Sequence, residues 1–282
     1  MADHMLFETT TSDAASATPS VLDNPVLHSL TGAHRRFALT GAEGRAARYP
    51  ASVSPFMALP DDPSGADWAA LAHLAGPDAV ALVNPPEPPP GWVEVQGFAV
   101  LQMVAAAASA PATDVAETAT TATATGAGAA PATEAATGAV SAPLEAVDAA
   151  GAVRLEGLGE ADGPAMLDLA RRTRPGPFEE RTRELGSFFG ARDGDALVAM
   201  AGERLHPPGW TEISAVCTDE SHRGRGLGRA LMELVIAGIR ERGETPFLHV
   251  IAENENAIRL YERMGFGVRR ELRITVFSPP SS

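Results

Sequence analysis

Between residues 105 and 143 the chain reads AAAASAPATDVAETATTATATGAGAAPATEAATGAVSAP, without an aromatic residue or a positive charge. Alanine favours helix, but the scattered proline, glycine and threonine interrupt any helix that starts. Such a stretch has too little apolar surface to offset the entropy of ordering it. Residues 105–150 are therefore expected to be a disordered linker. The first twenty residues, rich in Thr, Ser, Ala and Asp, are expected to be a disordered tail. Any packed core must come from residues 21–104 and 151–282.

Charge narrows the partners. The 282 residues carry a formal net charge of −14, which argues against general binding to nucleic acid or a membrane surface. Residues 1–150 hold 4 Arg against 16 acids, whereas residues 151–282 hold 18 Arg against 20. Lysine is absent, so no Lys serves as a general base or Schiff-base residue. The lone Cys217 rules out an internal disulfide. The start, MADHMLFETTTSDAASATPS, lacks the basic and apolar regions of a signal peptide, and no apolar run reaches membrane-spanning length. A cytoplasmic protein is expected.

In the first segment, ADWAALAHLAG (66–76) has helical spacing and a closing glycine, AVALV (79–83) reads as a buried strand, and WVEV and FAVLQMV read as strands. From about 151 the pattern is richer. AVRLEGL is a strand, DGPAMLDLARR a helix, FEERTRELG a second helix, and SFFGARD and ALVAMAGERL a hairpin. TEISAVCTDE is a strand and GLGRALMELVIAGIRERG a long amphipathic helix, with Leu227, Leu231, Leu234, Val235 and Gly238 on one stripe. PFLHVIA, ENAIRLYERMG and FGVRRELRITVF close the order as strand, helix and strand. The fold class is a mixed α/β sheet.

SHRGRGLGRALM (221–232) sits where a strand runs through a glycine turn into the long helix. Glycines let backbone approach a ligand, and the free N–H groups of a first helical turn face anions, favouring phosphate. Arg223, Arg225 and Arg229 add positive forks. A P-loop needs a Lys that is missing, and a dinucleotide turn needs glycine where Arg229 stands. The surviving pattern is R-x-x-G-x-G, over Arg223, Gly224, Arg225, Gly226, Leu227 and Gly228.

This pattern resembles the acetyl-CoA pyrophosphate loop of the GNAT (GCN5-related N-acetyltransferase) superfamily. NENAIRLYERMGF is similar to the superfamily's second signature, met by Asn254, Ala257, Tyr261, Gly265 and Phe266. The resemblance covers about residues 151–277. PFLHV and the phrase from Gly202 to Gly228 resemble the C-terminal half of glycine N-acyltransferases. DNPVLHSLTG and Gln102-Met103-Val104 look like a degenerate GNAT-like half over 21–104, which is expected not to bind CoA.

The resemblance implies acyl-CoA-dependent N-acylation, with acetyl-CoA as donor co-substrate and an amine-bearing small molecule or protein as acceptor. It implies that the main chain of Val216, Cys217 and Thr218 pairs with the pantetheine arm, and that amides from Arg223 to Arg229 hold the pyrophosphate. An N–H near Cys217 would polarise the thioester carbonyl. Asn254 would bond the pantetheine, and Tyr261 would protonate the leaving thiolate.

Alternatives stand beside these roles. Tyr261 also reads as a core tyrosine amid Ile258, Leu260 and Met264. Cys217 reads as a small buried residue rather than a nucleophile. His249 reads as a core histidine rather than a base. An alkylammonium of pKa about 10.4 is rarely neutral at pH 7, so a base helps; Glu212 is the candidate, with Glu203 on a neighbouring strand. No His/Cys cluster has metal-ligand spacing, so no metal is expected. The rival function is a CoA-binding regulatory or scaffolding protein with little turnover.

Overall fold

The computed structural model describes residues 20–41, 45–106 and 153–280. Apart from Ser20, the expected tail lies outside the described residues, and so does the expected linker beyond Ala106. In chain order the elements are α1 (Pro25–Thr31), β1 (Leu39–Thr40), β2 (Ala47–Arg48), β3 (Met57–Ala58), α2 (Gly65–Ala75), β4 (Val80–Val83) and β5 (Val93–Ala105). After the undescribed stretch come β6 (Val153–Leu158), α3 (Gly163–Thr173), β7 (Phe188–Asp193), β8 (Ala196–Glu203), β9 (Trp210–Thr218), α4 (Leu227–Glu241), β10 (Thr245–Ile251), α5 (Glu255–Arg263) and β11 (Phe266–Ser278).

Eight strands form one sheet in the order β4-β11-β5-β10-β9-β8-β7-β6, and β1 to β3 form a small sheet of their own. Strand β5 comes from the first segment yet lies between two strands of the second. It pairs antiparallel with β10 from Phe247↔Val104 to Ile251↔Val100, and with β11 along most of its length. The segments 21–104 and 151–282 therefore meet in a single sheet. WVEV and FAVLQMV, read as two strands, are one strand through Gly97, and that strand runs on to Ala105, where the linker was expected to begin.

One expected helix is absent. FEERTRELG (178–186) contains only a short 3-10 turn at Thr182–Leu185. Its two apolar residues, Phe178 and Leu185, sit at opposite ends, so it has no stripe to bury. The Thr182 hydroxyl accepts from the Glu179 amide at 2.7 Å and donates to the Val53 carbonyl at 2.7 Å, a local alternative to helical bonding.

Both faces of the sheet are covered. Helices α4 and α5 lie over one face, burying Leu231, Val235 and Ile239 against Ile213, Leu248 and Met103. The first segment covers part of the other, where Tyr49 and Phe56 pack on Val100, Phe247 and Ile274. Helix α3 covers the rest with Met166 and Leu169 against Met200 and Cys217.

His34 joins the two segments. Its Nε2 lies 3.0 Å from the Leu185 carbonyl, which only accepts, so Nε2 carries the hydrogen and Nδ1 accepts from the Tyr49 hydroxyl at 2.8 Å. Burial, and then the nearby His206, push the His34 pKa down to about 3. An unfolded His titrates near 6.5, so between these values the unfolded chain binds the proton and the folded chain does not. This contribution to stability is complete above pH 6.5 and is lost as pH falls towards 3. Urea unfolding is expected to show a loss of about 2 kcal/mol from this group between pH 7 and 5. His34→Gln should flatten the slope by that amount; an unchanged slope would contradict the assignment.

Candidate active site

The site begins where two strands part. β9 and β10 run parallel and pair only at Thr245↔Trp210, Pro246↔Thr211 and Phe247↔Glu212. Just beyond, β9 bulges against β8: Met200 faces Cys217 and Gly202 faces Ser214, leaving two residues of β9 opposite Ala201. Ala215 takes the left-handed conformation there, at φ 55°. A bulge bends its strand and strengthens the local twist, which carries Val216–Thr218 away from β10. The gap belongs to a cleft of about 820 Å³ that Val216, Cys217 and Thr218 line from one side and Val250 and Ile251 from the other.

β9 then enters the glycine turn. Asp219 accepts from the Ser221 amide, a short 3-10 turn covers Glu220–His222, and Gly224 and Gly226 both have positive φ, 78° and 80°. A side chain in that conformation costs about 1–2 kcal/mol, which is why glycine recurs here. Gly226 precedes α4 and supplies no side-chain cap, so the first-turn amides keep their donors for a ligand. Arg223 bonds the Thr218 carbonyl through Nε at 3.4 Å and lines the cleft. Arg229 pairs with Glu233 at 2.8 Å on the exposed side of α4. An open strand edge, uncapped amides, two left-handed glycines and an arginine fit a pantetheine arm and its pyrophosphate.

α5 closes the same side. The Asn254 Oδ1 accepts from the Ala257 amide at 3.2 Å, so this side chain starts the helix while bordering the cleft. Tyr261, one turn beyond Ala257, also borders it and stands edge-on to Phe266 at 6.4 Å. Desolvation raises its pKa to about 12, so the phenol keeps its proton at neutral pH. Cys217 is buried, and burial raises its thiol pKa, the state of an inert thiol rather than a nucleophile.

Glu212 lies elsewhere than the expectation of a free base requires. It is fully buried, and the Arg204 guanidinium holds both of its oxygens, at 2.8 and 2.6 Å. The third partner is His249 Nδ1 at 2.7 Å. Burial alone would raise the Glu212 pKa, but the charge and hydrogen bonds of Arg204, helped by His249, hold it at about 2. A carboxylate so engaged has a weak hold on any further proton and no open face toward an amine. Glu203 is also buried, taken up by Arg242 and the Ser187 amide.

The Glu212 cluster extends further than the sequence indicated. Arg269, at a register shift in β11, donates to the Gln102 Oε1 at 2.7 Å. That fixes the Gln102 amide as a donor toward His249 Nε2 at 3.0 Å, so His249 Nδ1 carries the hydrogen given to Glu212. Gln102 and Arg204 were not among the expected site residues. The only sequence signal was an arginine and an acid, in GERL and TEIS, on adjacent strands. Gln102 carried no signal, because nothing local shows that β5 will pair with β10.

The chain is similar to known proteins in sequence and fold. Residues 188–274 match the model of the FR47-like protein family. The chain is 33% identical over 134 residues to a mycothiol acetyltransferase of Thermomonospora curvata, covering 45% of this chain and 43% of that one. It is 37% identical over 106 residues to the N-alpha-acetyltransferase RimI of Mycobacterium tuberculosis, covering 34% of this chain and 66% of that one. The chain thus spans less than half the length of the mycothiol enzyme it matches. A solved structure of a GNAT-family chain from Novosphingobium aromaticivorans is 35% identical, with a TM-score of 0.70, over 93% of this chain and all of that one. By this likeness over most of its length and by its own glycine turn and α5 signature, the chain belongs to the GNAT family of acetyltransferases.

Proposed function

We propose that this protein moves the acetyl group of acetyl-CoA to a primary amine by direct attack within a ternary complex. The observation that carries this reading is the single cleft that joins Val216–Thr218, Arg223, Asn254 and Tyr261 at a break in the sheet. In this reading the 151–282 segment carries the donor site, and its subgroup resemblance is to the C-terminal half of glycine N-acyltransferases. The amides of the glycine turn and α4 hold the pyrophosphate, and the main chain of Val216–Thr218 aligns the pantetheine. An amide near Cys217 polarises the thioester oxygen.

The amine nitrogen bonds to the thioester carbon as the carbon–sulfur bond breaks. Tyr261 gives its proton to the leaving thiolate and regains one from solvent, while the amine's proton leaves through water. Glu212 acts here as a positioning residue: it keeps Arg204 and His249 in place at the cleft wall. The acceptor then has to arrive neutral, because Glu212 is committed to its partners.

Thiol release from acetyl-CoA over a panel of amines tests the reading. Tyr261→Phe should lower kcat about 10²-fold or more and leave the acetyl-CoA Kd unchanged. Full turnover in that variant would remove the acid role. Binding of acetyl-CoA without turnover of any amine would favour a regulatory protein instead. Gly226→Ala should raise the acetyl-CoA Kd about 5–30-fold, the cost of a side chain at φ 80°. The acid limb of kcat/KM against pH should follow the acceptor's own pKa when acceptors are exchanged. A limb fixed at one pH for every acceptor would point to an enzyme base.

A further inference from the structure

The donor motifs account for only one side of the cleft. Along β10, Leu248 and Val250 pack toward α4 and α5, while Phe247 packs toward Tyr49 and Phe56. Strand alternation puts His249 and Ile251 on the Phe247 side. The lining of this one cleft therefore falls on both sides of the parted strands, with Asn254, Ala257 and Tyr261 on the α5 side and, beyond the strands, a part that we call the second chamber. That second chamber is walled mainly by the first segment and β11: Phe56, Ala81, Phe98, Val100, Ile274 and Val276.

The chemistry of that wall is one-sided. Apart from Gln96 it is aromatic and aliphatic, and among the described residues lining the whole cleft there is no Asp or Glu. The charged groups that line it, apart from a histidine, are Arg174, Arg204 and Arg223. Arg204 is neutralised by Glu212 and lies over the Phe56 ring at 5.2 Å from its centroid. A second positive charge on an acceptor would lose its water there and meet arginines with no free carboxylate, a costly burial. An apolar substituent would instead gain from leaving water, about 25 cal/mol for each Å² buried.

From this we infer that the second chamber is the acceptor pocket and selects a primary amine with an apolar substituent and no second cation. The inference rests on the acetyltransferase reading above and accounts for the first segment, which builds the acceptor wall. Phe98, projecting from β5 toward the cleft, is the specificity-determining residue.

The test compares pentylamine with 1,5-diaminopentane, acceptors with the same five-carbon chain, the second carrying an added distal ammonium. With the whole chain and saturating acetyl-CoA, kcat/KM should be about 10–100-fold higher for pentylamine. Phe98→Glu should narrow that ratio at least ~10-fold while the acetyl-CoA Kd stays the same, because the new carboxylate meets the distal charge. Phe98→Leu should keep the wild-type preference. The wild-type ratio stands as a test even if Phe98→Glu fails to fold. Equal or better use of 1,5-diaminopentane by the wild type would overturn the inference and leave the acetyltransferase reading intact. Absence of transfer to any amine, with acetyl-CoA bound, would overturn both.

Discussion

The early end of pairing between β9 and β10 is the constraint on which the rest depends. Parallel strands would ordinarily continue their ladder, and three paired positions are few for strands of nine and seven residues. Two features mark the point of parting. The bulge at Ala215 bends β9 away, and the Arg204–Glu212–His249 cluster fastens the segment just after β8 to β9 and β10 where pairing stops. The cluster is buried, so losing Glu212 would leave Arg204 uncompensated, a loss of about 3–5 kcal/mol.

The position of β5 follows from the same opening. Once β10 turns away from β9 at its far end, its other edge still needs hydrogen-bond partners. β5 fills that edge on one side and pairs with β11 on the other. The first segment thus has a structural reason to be where it is, and its side chains reach the cleft as a consequence. Gln102 takes its place in the polar chain from Arg269 to His249 by the same pairing. No helix among the described residues is long and apolar enough to cross a membrane.

Local signals carried much of the picture. The glycine turn, the α4 and α5 helices and the β7–β8 hairpin were legible because each depends on neighbouring residues: left-handed glycines, helical spacing, an Asp-Gly turn. The face of α4 was legible only in part. Leu227, Leu231 and Val235 are buried as expected, but Met232, Ile236 and Ile239 complete the buried stripe, while Leu234 and Gly238 are only half-buried. The failed helix at 178–186 shows the limit of propensity without a stripe. Long-range pairing was not legible at all: nothing in WVEVQGFAVLQMV says that it will lie between β10 and β11. Glu212 shows the same limit at the site, since a strand carboxylate looks free until the arginine beside it is known.

Amide hydrogen exchange with and without acetyl-CoA tests most directly the claim that the donor enters from the α4 and α5 side. Acetyl-CoA should slow exchange in the glycine turn and first turn of α4, over 223–230, and along Val216–Thr218. Amides of β4, at the far edge of the sheet, and of the Phe56 turn, on its other face, should be unchanged. Slowed exchange confined to residues 53–58 and 79–83, with the glycine turn unaffected, would contradict the account.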